Sequence, residues 1–336
     1  MSADSAAAGS PTAGSSLTSP RISTEWSLAG QSAVVLENRW LRAVVLPALG
    51  GKIISLVDKV ADVELLWRNA RVPVRPVPFG SGYDDVFLGG WDELFPNDEP
   101  EVLAGEAMPD HGELWTLPWR ITDLTEAADE VGLELTVRPP ISATRVTKRL
   151  LLGDDAGLRT EYRVTNEGRR ELPFLWKSHV AVRLHTDTVI GMAAGDVLVH
   201  DFGDPRVRPE GGRFAWPSTT VAGREHDFRR PPDTTARGVT EFLIATTLED
   251  GHCGVSHPAA GSGLALEWDR ADLPSCWTFA SYGGGWRGLD VLVLEPCTGY
   301  PLSVLDGVAA GTHQVLAAGA TRAWSLTARV GAPVRG

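Results

Sequence analysis

The sequence predicts an all-β protein, built as a sandwich or a barrel of antiparallel strands. Apolar runs of strand length recur along the chain with turn residues between them. The 36 glycines and 23 prolines supply frequent turns. No segment shows the pattern of a capped amphipathic helix of three turns. Many short strands without intervening helices favour an all-β fold over an α/β fold.

Composition limits the classes of partner. The 336-residue chain is 43% hydrophobic and carries a formal charge of −12, which disfavours nucleic acid and anionic membrane surfaces. No stretch has eighteen uninterrupted apolar residues, so no membrane span is predicted. The three cysteines form neither a CxxC motif nor a Cys/His cluster, which fits a protein of the reducing cytoplasm.

The chain divides into a short tail and one large domain. Residues 1–20 are almost entirely Ser, Ala, Gly, Thr and Pro, so they bury too little apolar surface to offset their ordering entropy. We expect this tail to be disordered, and it lacks the pattern of a secretory signal. Residues 21–336 are expected to form a single β domain, because large β folds often run as one unit.

The predicted strands follow one another closely. A hairpin is expected from residues 34–36 and 41–46, with a turn at Glu37-Asn38-Arg39. Further strands are predicted at residues 52–57, 133–137, 143–152, 158–164, 241–248, 253–257, 264–268, 276–282, 291–294, 313–316 and 321–330. Two regions do not fit strands. Residues 71–109 resemble a functional loop folded over a site, and residues 202–233 are a lid, an insertion or a connection.

The segment 174–184 places ionisable groups inside an apolar strand pattern. Because side chains alternate along a strand, Lys177 and His179 share one face, and Trp176, Ser178 and Val180 share the other. We expect the apolar face to pack and the polar face to carry function. The alternative is that His179 is a core histidine with a satisfied hydrogen bond.

Two further segments carry candidate groups. His111 is followed by Gly112, and Asp110 is positioned to orient its imidazole. Glu295 ends the apolar run 291–294, where a buried carboxylate is costly unless it is paired or used. The structural alternatives are a turn histidine at 111 and a salt-bridged strand end at 295.

Taken in order, these segments resemble the galactose mutarotase (aldose 1-epimerase) superfamily. The matching features are the Gly-Gly pair within residues 46–53, the His111-Gly112 step before Trp115, the strand histidine His179 and the late Glu295. The resemblance covers almost the whole chain. It implies one large antiparallel β-sandwich, the supersandwich, whose concave face holds a sugar.

The resemblance also implies an activity. Interconversion of α and β anomers removes a proton from the anomeric hydroxyl and delivers one to the ring oxygen. By resemblance, Glu295 is the base, His179 is the acid, and His111 hydrogen-bonds the substrate. The expected enzyme is a cofactor-free isomerase of carbohydrate metabolism whose partner is a small sugar, with no metal site. The oligomeric state remains open.

The binding residues are expected near these groups. Trp91 and Trp115 offer flat faces for a pyranose, Asp92 and Asn97 offer polar groups, and Asp272 or Asp269 matches an Asp that the family places before the last catalytic strand. The Asn-Arg pair of galactose-specific members is missing, so the sugar stays open. Lys177 either recognises an anionic sugar or pairs with a neighbouring carboxylate.

Other functions on the same fold remain open. A non-catalytic carbohydrate-binding protein would keep the aromatic residues without needing the His and Glu side chains. A glycoside hydrolase or lyase requires a second carboxylate, for which Asp92 and Glu93 are the nearest candidates. A sugar isomerase of another kind would use the same acid and base.

Overall fold

The computed structural model describes residues 19–331, and antiparallel strands account for about half of them. Most of the predicted tail, residues 1–18, lies outside the described residues, and the first strand begins at Arg21. Within residues 19–331 there is a single α-helix, α1 (Val304–Ala310), which the sequence analysis missed. Ser303 caps its start, and Gly311 ends it in the left-handed conformation.

The strands of the first half of the chain are β1 (Arg21–Leu28), β2 (Gln31–Glu37), β3 (Leu41–Leu46), β4 (Lys52–Asp58), β5 (Val63–Glu64), β6 (Trp91–Leu94), β7 (Glu101–Leu103), β8 (Glu106–Met108), β9 (Arg120–Glu126), β10 (Val131–Val137), β11 (Thr144–Leu152) and β12 (Gly157–Asn166). The hairpin predicted between residues 34 and 46 is confirmed by the pairing of β2 with β3.

The strands of the second half are β13 (Leu172–Phe174), β14 (Lys177–Val182), β15 (Val189–Ala194), β16 (Asp196–Val199), β17 (Arg213–Ala215), β18 (Ser218–Val221), β19 (Arg224–Asp227), β20 (Val239–Ala245), β21 (Leu248–His257), β22 (Ser262–Trp268), β23 (Ser275–Tyr282), β24 (Val291–Cys297), β25 (Gln314–Leu316) and β26 (Thr321–Val330). Every strand predicted from the sequence has a counterpart here.

Two large sheets organise the described residues. The first has twelve strands in the order β1-β2-β3-β4-β6-β14-β24-β23-β20-β16-β17, with β5 paired to β4. The second has eight strands in the order β15-β21-β22-β26-β12-β11-β10-β9. All these strand pairs are antiparallel. The predicted all-β antiparallel sandwich is confirmed.

One face of the first sheet packs against the second sheet. Trp176, just before β14, is fully buried, and its ring lies 4.8 Å from that of Tyr162 on β12 and 4.9 Å from that of Trp324 on β26. Both sheets contribute side chains to this main core. The opposite face of β14 carries Lys177 and His179, as the alternation predicts. We infer one domain for the described part of residues 21–336.

The two regions predicted not to be strands are only partly irregular. Residues 71–109 include β6, which lies in the first sheet between β4 and β14, and the hairpin β7–β8. The loop assignment is therefore wrong for residues 91–94, 101–103 and 106–108. Residues 202–233 include the hairpin β18–β19 and the edge strand β17. Among the described residues, no helix has the length and apolarity needed to cross a membrane.

Candidate active site

A cavity of about 200 Å³ opens on the face of the first sheet that points away from the core. Its polar lining includes His111, Lys177, His179 and Glu295. The structure therefore brings all three side chains predicted as catalytic into one cavity, together with Lys177. Further carboxylates of the lining are Asp84, Asp98, Glu99 and Asp110.

Strand pairing explains why His179 and Glu295 meet. β14 and β24 are neighbours, with Lys177 opposite Cys297 and Val180 opposite Leu294. This register brackets His179 and Glu295, so the two side chains lie on the same face of adjacent strands. The two groups are more than a hundred residues apart in sequence, and the sheet order brings them together.

Lys177 contacts two carboxylates of the cavity. Its Nζ lies 2.9 Å from Oε2 of Glu295 and also forms an ion pair with Asp98, and all three side chains are at least 90% buried. Burial lowers the pKa of Lys177, but the two carboxylates outweigh burial and raise it above its ordinary value. Lys177 is therefore a fixed cation whose charge is already compensated.

Glu295 is a buried carboxylate, and one of its oxygens lacks a directed hydrogen bond. Burial raises the pKa of its carboxyl above the ordinary value, while Lys177 acts in the opposite direction. The contact with Lys177 is an ion pair, and Oε2 accepts no well-directed hydrogen bond from the described residues. A carboxylate in this state is a suitable acceptor for a substrate proton.

His111 is held in an unusual backbone conformation. Its φ angle is 56°, in the left-handed region, and Gly112 follows at 71°. A Cβ atom on Gly112 would lie 2.1 Å from the carbonyl oxygen of Phe95, so only glycine fits this close approach. The His-Gly step thus aims the imidazole into the cavity, and its side chain remains 19% exposed.

Two carboxylates set the charge of His111. Its Nδ1 lies 2.8 Å from Oδ1 of Asp110, and its Nε2 lies 3.9 Å from Oδ1 of Asp98. Burial lowers the pKa of His111, but Asp98 and Asp110 outweigh burial and raise it above the ordinary value. The orienting role predicted for Asp110 agrees with this contact.

The pKa of His179 is shifted in the direction opposite to that of His111. Its Nδ1 lies 3.1 Å from the hydroxyl oxygen of Tyr83. Burial lowers its pKa well below the ordinary imidazole value, and the positive charges of Lys177 and His111 add to this effect. The two imidazoles of the cavity are therefore biased toward different protonation states.

The apolar wall of the cavity comes from aromatic rings that the sequence analysis did not select. Phe87, Phe279 and Trp286 line it, with the Trp286 ring 5.2 Å from Phe279 in an edge-to-face arrangement. Trp286 is half-buried and follows the glycine run 283–285. A flat, partly exposed ring is the usual surface for the C–H face of a sugar.

Five predicted binding residues lie outside this cavity lining. Trp91 is fully buried in the main core, and Asn97 donates its amide hydrogens to the carbonyls of Glu99 and Pro109. Asp92 forms an ion pair with Lys52, beneath Tyr83. Trp115 packs edge-on against Tyr83, and Asp272 lies 3.7 Å from Arg322 at the second sheet. Direct sugar contact is therefore not supported for these five.

Several polar and aromatic residues of the cavity were missed in the sequence. Tyr83, Asp98 and Trp286 all lie in glycine-rich or proline-rich loops, where alternation gives no direction for a side chain. The signal available in the sequence was the rarity of tyrosine, because Tyr83 is one of only four in the chain.

Within residues 19–331, no three His, Cys, Asp or Glu side chains are grouped so as to hold a metal ion.

Strand order and cavity position together define a class, the large antiparallel sandwich with a site on the outward face of one sheet. Similarity to solved structures identifies the fold within that class. A galactose mutarotase-like protein from Clostridium acetobutylicum superposes with a TM-score of 0.68 at 14% identity, over 93% of this chain and 98% of that one. The chain has the galactose mutarotase-like fold.

Two other structures are similar over comparable lengths. A galactose mutarotase related enzyme from Lactobacillus acidophilus gives a TM-score of 0.60 at 13% identity, over 90% of this chain and 98% of that one. The Slr1438 protein from Synechocystis sp. PCC 6803 gives 0.63 at 17% identity, over 89% and 96%. No protein-family model and no curated protein matches the chain in sequence.

Proposed function

We propose that the protein is a cofactor-independent isomerase of the aldose 1-epimerase type, which interconverts the α and β anomers of a monosaccharide. The observation that carries this proposal is the meeting of one carboxylate, Glu295, with two imidazoles, His111 and His179, in a single cavity of about 200 Å³. The similarity of the fold to mutarotase-like structures supports the same class.

The reaction needs one group that accepts the proton of the anomeric hydroxyl at C1 and another that donates a proton to the ring oxygen. Glu295 takes the proton of the anomeric hydroxyl, and an imidazole gives a proton to the ring oxygen as the bond from C1 to that oxygen breaks. Rotation about the C1–C2 bond then exposes the other carbonyl face, and ring closure returns both protons. The partly enclosed cavity limits access of bulk water to these groups.

The charges of the cavity favour a neutral sugar. Four carboxylates of the lining, Asp84, Asp98, Asp110 and Glu295, face two basic groups. Asp98 and Glu295 already balance Lys177, and Asp110 is paired with His111. An anionic sugar therefore gains no free cation from Lys177 and meets several like charges. We propose that the substrate is an uncharged aldose.

A second candidate function rests on the same contacts. Asp98 and Glu295 both touch Lys177, and two nearby carboxylates are also what glycoside hydrolysis requires. The carboxylates considered from sequence serve elsewhere, since Glu93 is fully buried against Lys148 and Asp92 pairs with Lys52. Product analysis separates the two functions, because an isomerase leaves every glycosidic bond intact.

The experiment that tests the proposal uses freshly dissolved single anomers of a panel of neutral and acidic sugars. Anomeric proton signals are followed by NMR with and without the protein. We expect faster equilibration of at least one neutral aldose, and loss of this acceleration in Glu295→Gln. If no sugar equilibrates faster, the enzymatic proposal is abandoned, and binding measurements on the same panel then address a carbohydrate-binding role.

A further inference from the structure

We propose that a second groove on the outward face of the first sheet binds an acidic oligosaccharide, a sugar chain that carries carboxylate or sulfate groups. The groove has a volume of about 520 Å³ and, among the described residues, shares no lining side chain with the candidate active site. It lies over the β1–β5 end of the sheet, whereas the candidate active site lies over β14 and β24. The inference goes beyond the proposed isomerase activity and does not depend on it.

Strand alternation places this groove on the side of the sheet that faces away from the core. On β2, Val34 and Leu36 belong to the main core, whereas Val35 between them lines the groove. On β3, Val45 belongs to the main core and Val44 lines the groove. The groove and the candidate active site therefore open on the same face of the first sheet. Apolar side chains of β2, β3 and β4 form the floor of the groove.

Three arginines of the groove lack a carboxylate partner in the part of the chain that the structure describes. They are Arg42, Arg68 and Arg183, and all three are exposed. Within residues 19–331, no hydrogen bond or ion pair engages the guanidinium of Arg42 or Arg68. The guanidinium of Arg183 donates through Nε to the carbonyl of Leu66 at 3.3 Å. Because a guanidinium carries five N–H donors in a planar fork, most of these donors remain for a ligand.

The two carboxylates of the groove are engaged by other groups. Glu37 pairs with Arg21 and Lys59, and Glu64 accepts hydrogen bonds from a serine hydroxyl and two backbone N–H groups. Four arginines and two carboxylates line the groove, which gives it a local charge of +2 in a chain of formal charge −12. Charges further away than about 8 Å are largely screened at physiological ionic strength. The local charge therefore favours an anionic ligand at this place.

The spacing of the arginines favours an extended ligand over a single small anion. Arg42 pairs with Val57 across β3 and β4, and Val57 pairs with Glu64 across β4 and β5. The backbone N–H of Arg183 donates to the carbonyl of Leu65, the residue after Glu64. Because adjacent strands lie about 4.8 Å apart, the backbones of Arg42 and Arg183 are roughly 14 Å apart. A chain with acidic groups at intervals matches this spacing better than one small anion does.

An exposed tryptophan at the edge of the sheet favours a sugar chain over an acidic peptide. Trp26 on the edge strand β1 is 59% exposed, and it pairs with Ala33, whose side chain lines the groove. Flat aromatic and apolar surfaces accept the C–H face of a sugar ring, and arginines bind carboxylate and sulfate groups through paired N–H donors. A sugar chain with acidic groups presents both features, whereas an acidic peptide presents only the second.

The test measures binding of a tetramer of galacturonic acid to the full chain, by nitrogen-15 NMR of the tryptophan indole N–H groups. The spectrum of Trp26→Phe assigns the Trp26 signal, which then reports binding at the groove. We expect this signal to shift, with a Kd at least about tenfold lower than that of a neutral galactose tetramer of the same linkage. If neither this tetramer nor a sulfated galactose tetramer moves the Trp26 signal, the proposal fails.

A triple variant tests the arginines. Replacing Arg42, Arg68 and Arg183 together by glutamine removes exposed charges and no described ion pair, so we expect the fold to be retained, which thermal unfolding checks. The Kd for the acidic tetramer should rise at least about tenfold, and its dependence on salt concentration should become weaker. An unchanged Kd in this variant contradicts the proposed role of the arginines.

The matched control removes the same charge from other faces of the molecule. It replaces three exposed arginines of β9, β12 and β19 by glutamine, namely Arg120, Arg163 and Arg224. We expect this variant to keep its Kd within about twofold, because these charges lie outside the groove. Equal losses in the two triple variants would show that binding follows net charge alone, which overturns the proposal.

Two further ligands decide the chemical class. Comparison of the uronate tetramer with the sulfated tetramer identifies which acidic group the arginines prefer, and tight binding of either supports a sugar ligand. Poly-glutamate of matched charge that binds as tightly as the better sugar would overturn the assignment to a saccharide. Because the Trp26 signal reports binding without turnover, failure of the isomerase proposal leaves this test unaffected.

Discussion

Lys177 and Glu295 lie on adjacent strands with Nζ and Oε2 2.9 Å apart, and the same ammonium also contacts Asp98. The ammonium of Lys177 opposes the rise in the pKa of Glu295 that burial causes. Without the cation, burial alone would drive Glu295 toward its protonated form. Lys177 therefore opposes protonation of Glu295, the proposed base, and also pairs with Asp98.

Replacing this cation should weaken both stability and activity. Lys177→Met keeps most of the apolar stem but removes the cation from two buried carboxylates, so we expect a loss of about 3–5 kcal/mol in the free energy of unfolding. The pKa of Glu295 should rise further, which moves the acid limb of kcat/KM to higher pH. Denaturant unfolding and pH–rate profiles measure the two effects.

Arg183→Met is the control for Lys177→Met. Arg183 follows β14 on the same face, but it is exposed and lies outside the cavity lining. We expect its replacement to leave the acid limb in place. A limb that moves equally in both variants would mean that the effect is a general change of charge.

The conformation at Gly112 gives a prediction with a close internal control. In Gly112→Ala the new Cβ meets the Phe95 carbonyl at 2.1 Å, and the φ of 71° is unfavourable for alanine. We expect a loss of about 2–5 kcal/mol, together with lower activity because His111 is displaced. Gly261 has a φ of 61° and nothing within 4 Å, so Gly261→Ala should cost only about 1 kcal/mol and leave activity intact.

The acidic lining predicts discrimination by substrate charge. A neutral aldose should be processed at least about tenfold more efficiently than its uronic acid, because Asp84, Asp98 and Asp110 repel the added carboxylate. Comparison of kcat/KM at low and high salt tests the cause, since screening should reduce the difference. A preference for the uronic acid would show that Lys177 is available to the ligand after all.

Trp286 is expected to act through binding. Trp286→Ala removes a half-buried ring of the cavity wall, and losing about 1 kcal/mol of contact should raise KM about fivefold with little change in kcat. Trp91→Phe is the contrasting variant, because Trp91 is buried in the core. It should lower stability and leave KM unchanged. The reverse outcome would restore Trp91 as the sugar platform.

The sequence predicts most of the fold because strands carry a simple period. The alternation at 174–184 places Trp176 on one face of the strand and Lys177 and His179 on the other. Trp176 lies in the sandwich core, and the two polar residues line the cavity. The period does not predict elements whose structure depends on packing against distant parts of the chain. Residues 91–94 form a fully buried central strand, β6, although glycines and prolines surround them, and the helix Val304–Ala310 is too short to show a periodic pattern.

The site is predictable only where side chains project from strands or motifs. His179 and Glu295 converge because β14 and β24 pair, and the family-like order of the segments anticipates this meeting. Tyr83, Asp98 and Trp286 belong to loops whose direction depends on the packed structure. Adjacent residues also have different surroundings. Asp92 contacts Tyr83, whereas Glu93 points into the core toward Lys148.

The most direct test of the isomerase proposal is the exchange rate between anomers at chemical equilibrium. With a neutral aldose that responds in the panel, NMR magnetisation transfer between the α and β anomeric protons gives this rate without any net reaction. We predict rapid exchange with the wild-type protein and a decrease of about 10²–10⁴-fold in Glu295→Gln. Equal exchange rates for the wild type, Glu295→Gln and a protein-free sample would contradict the account.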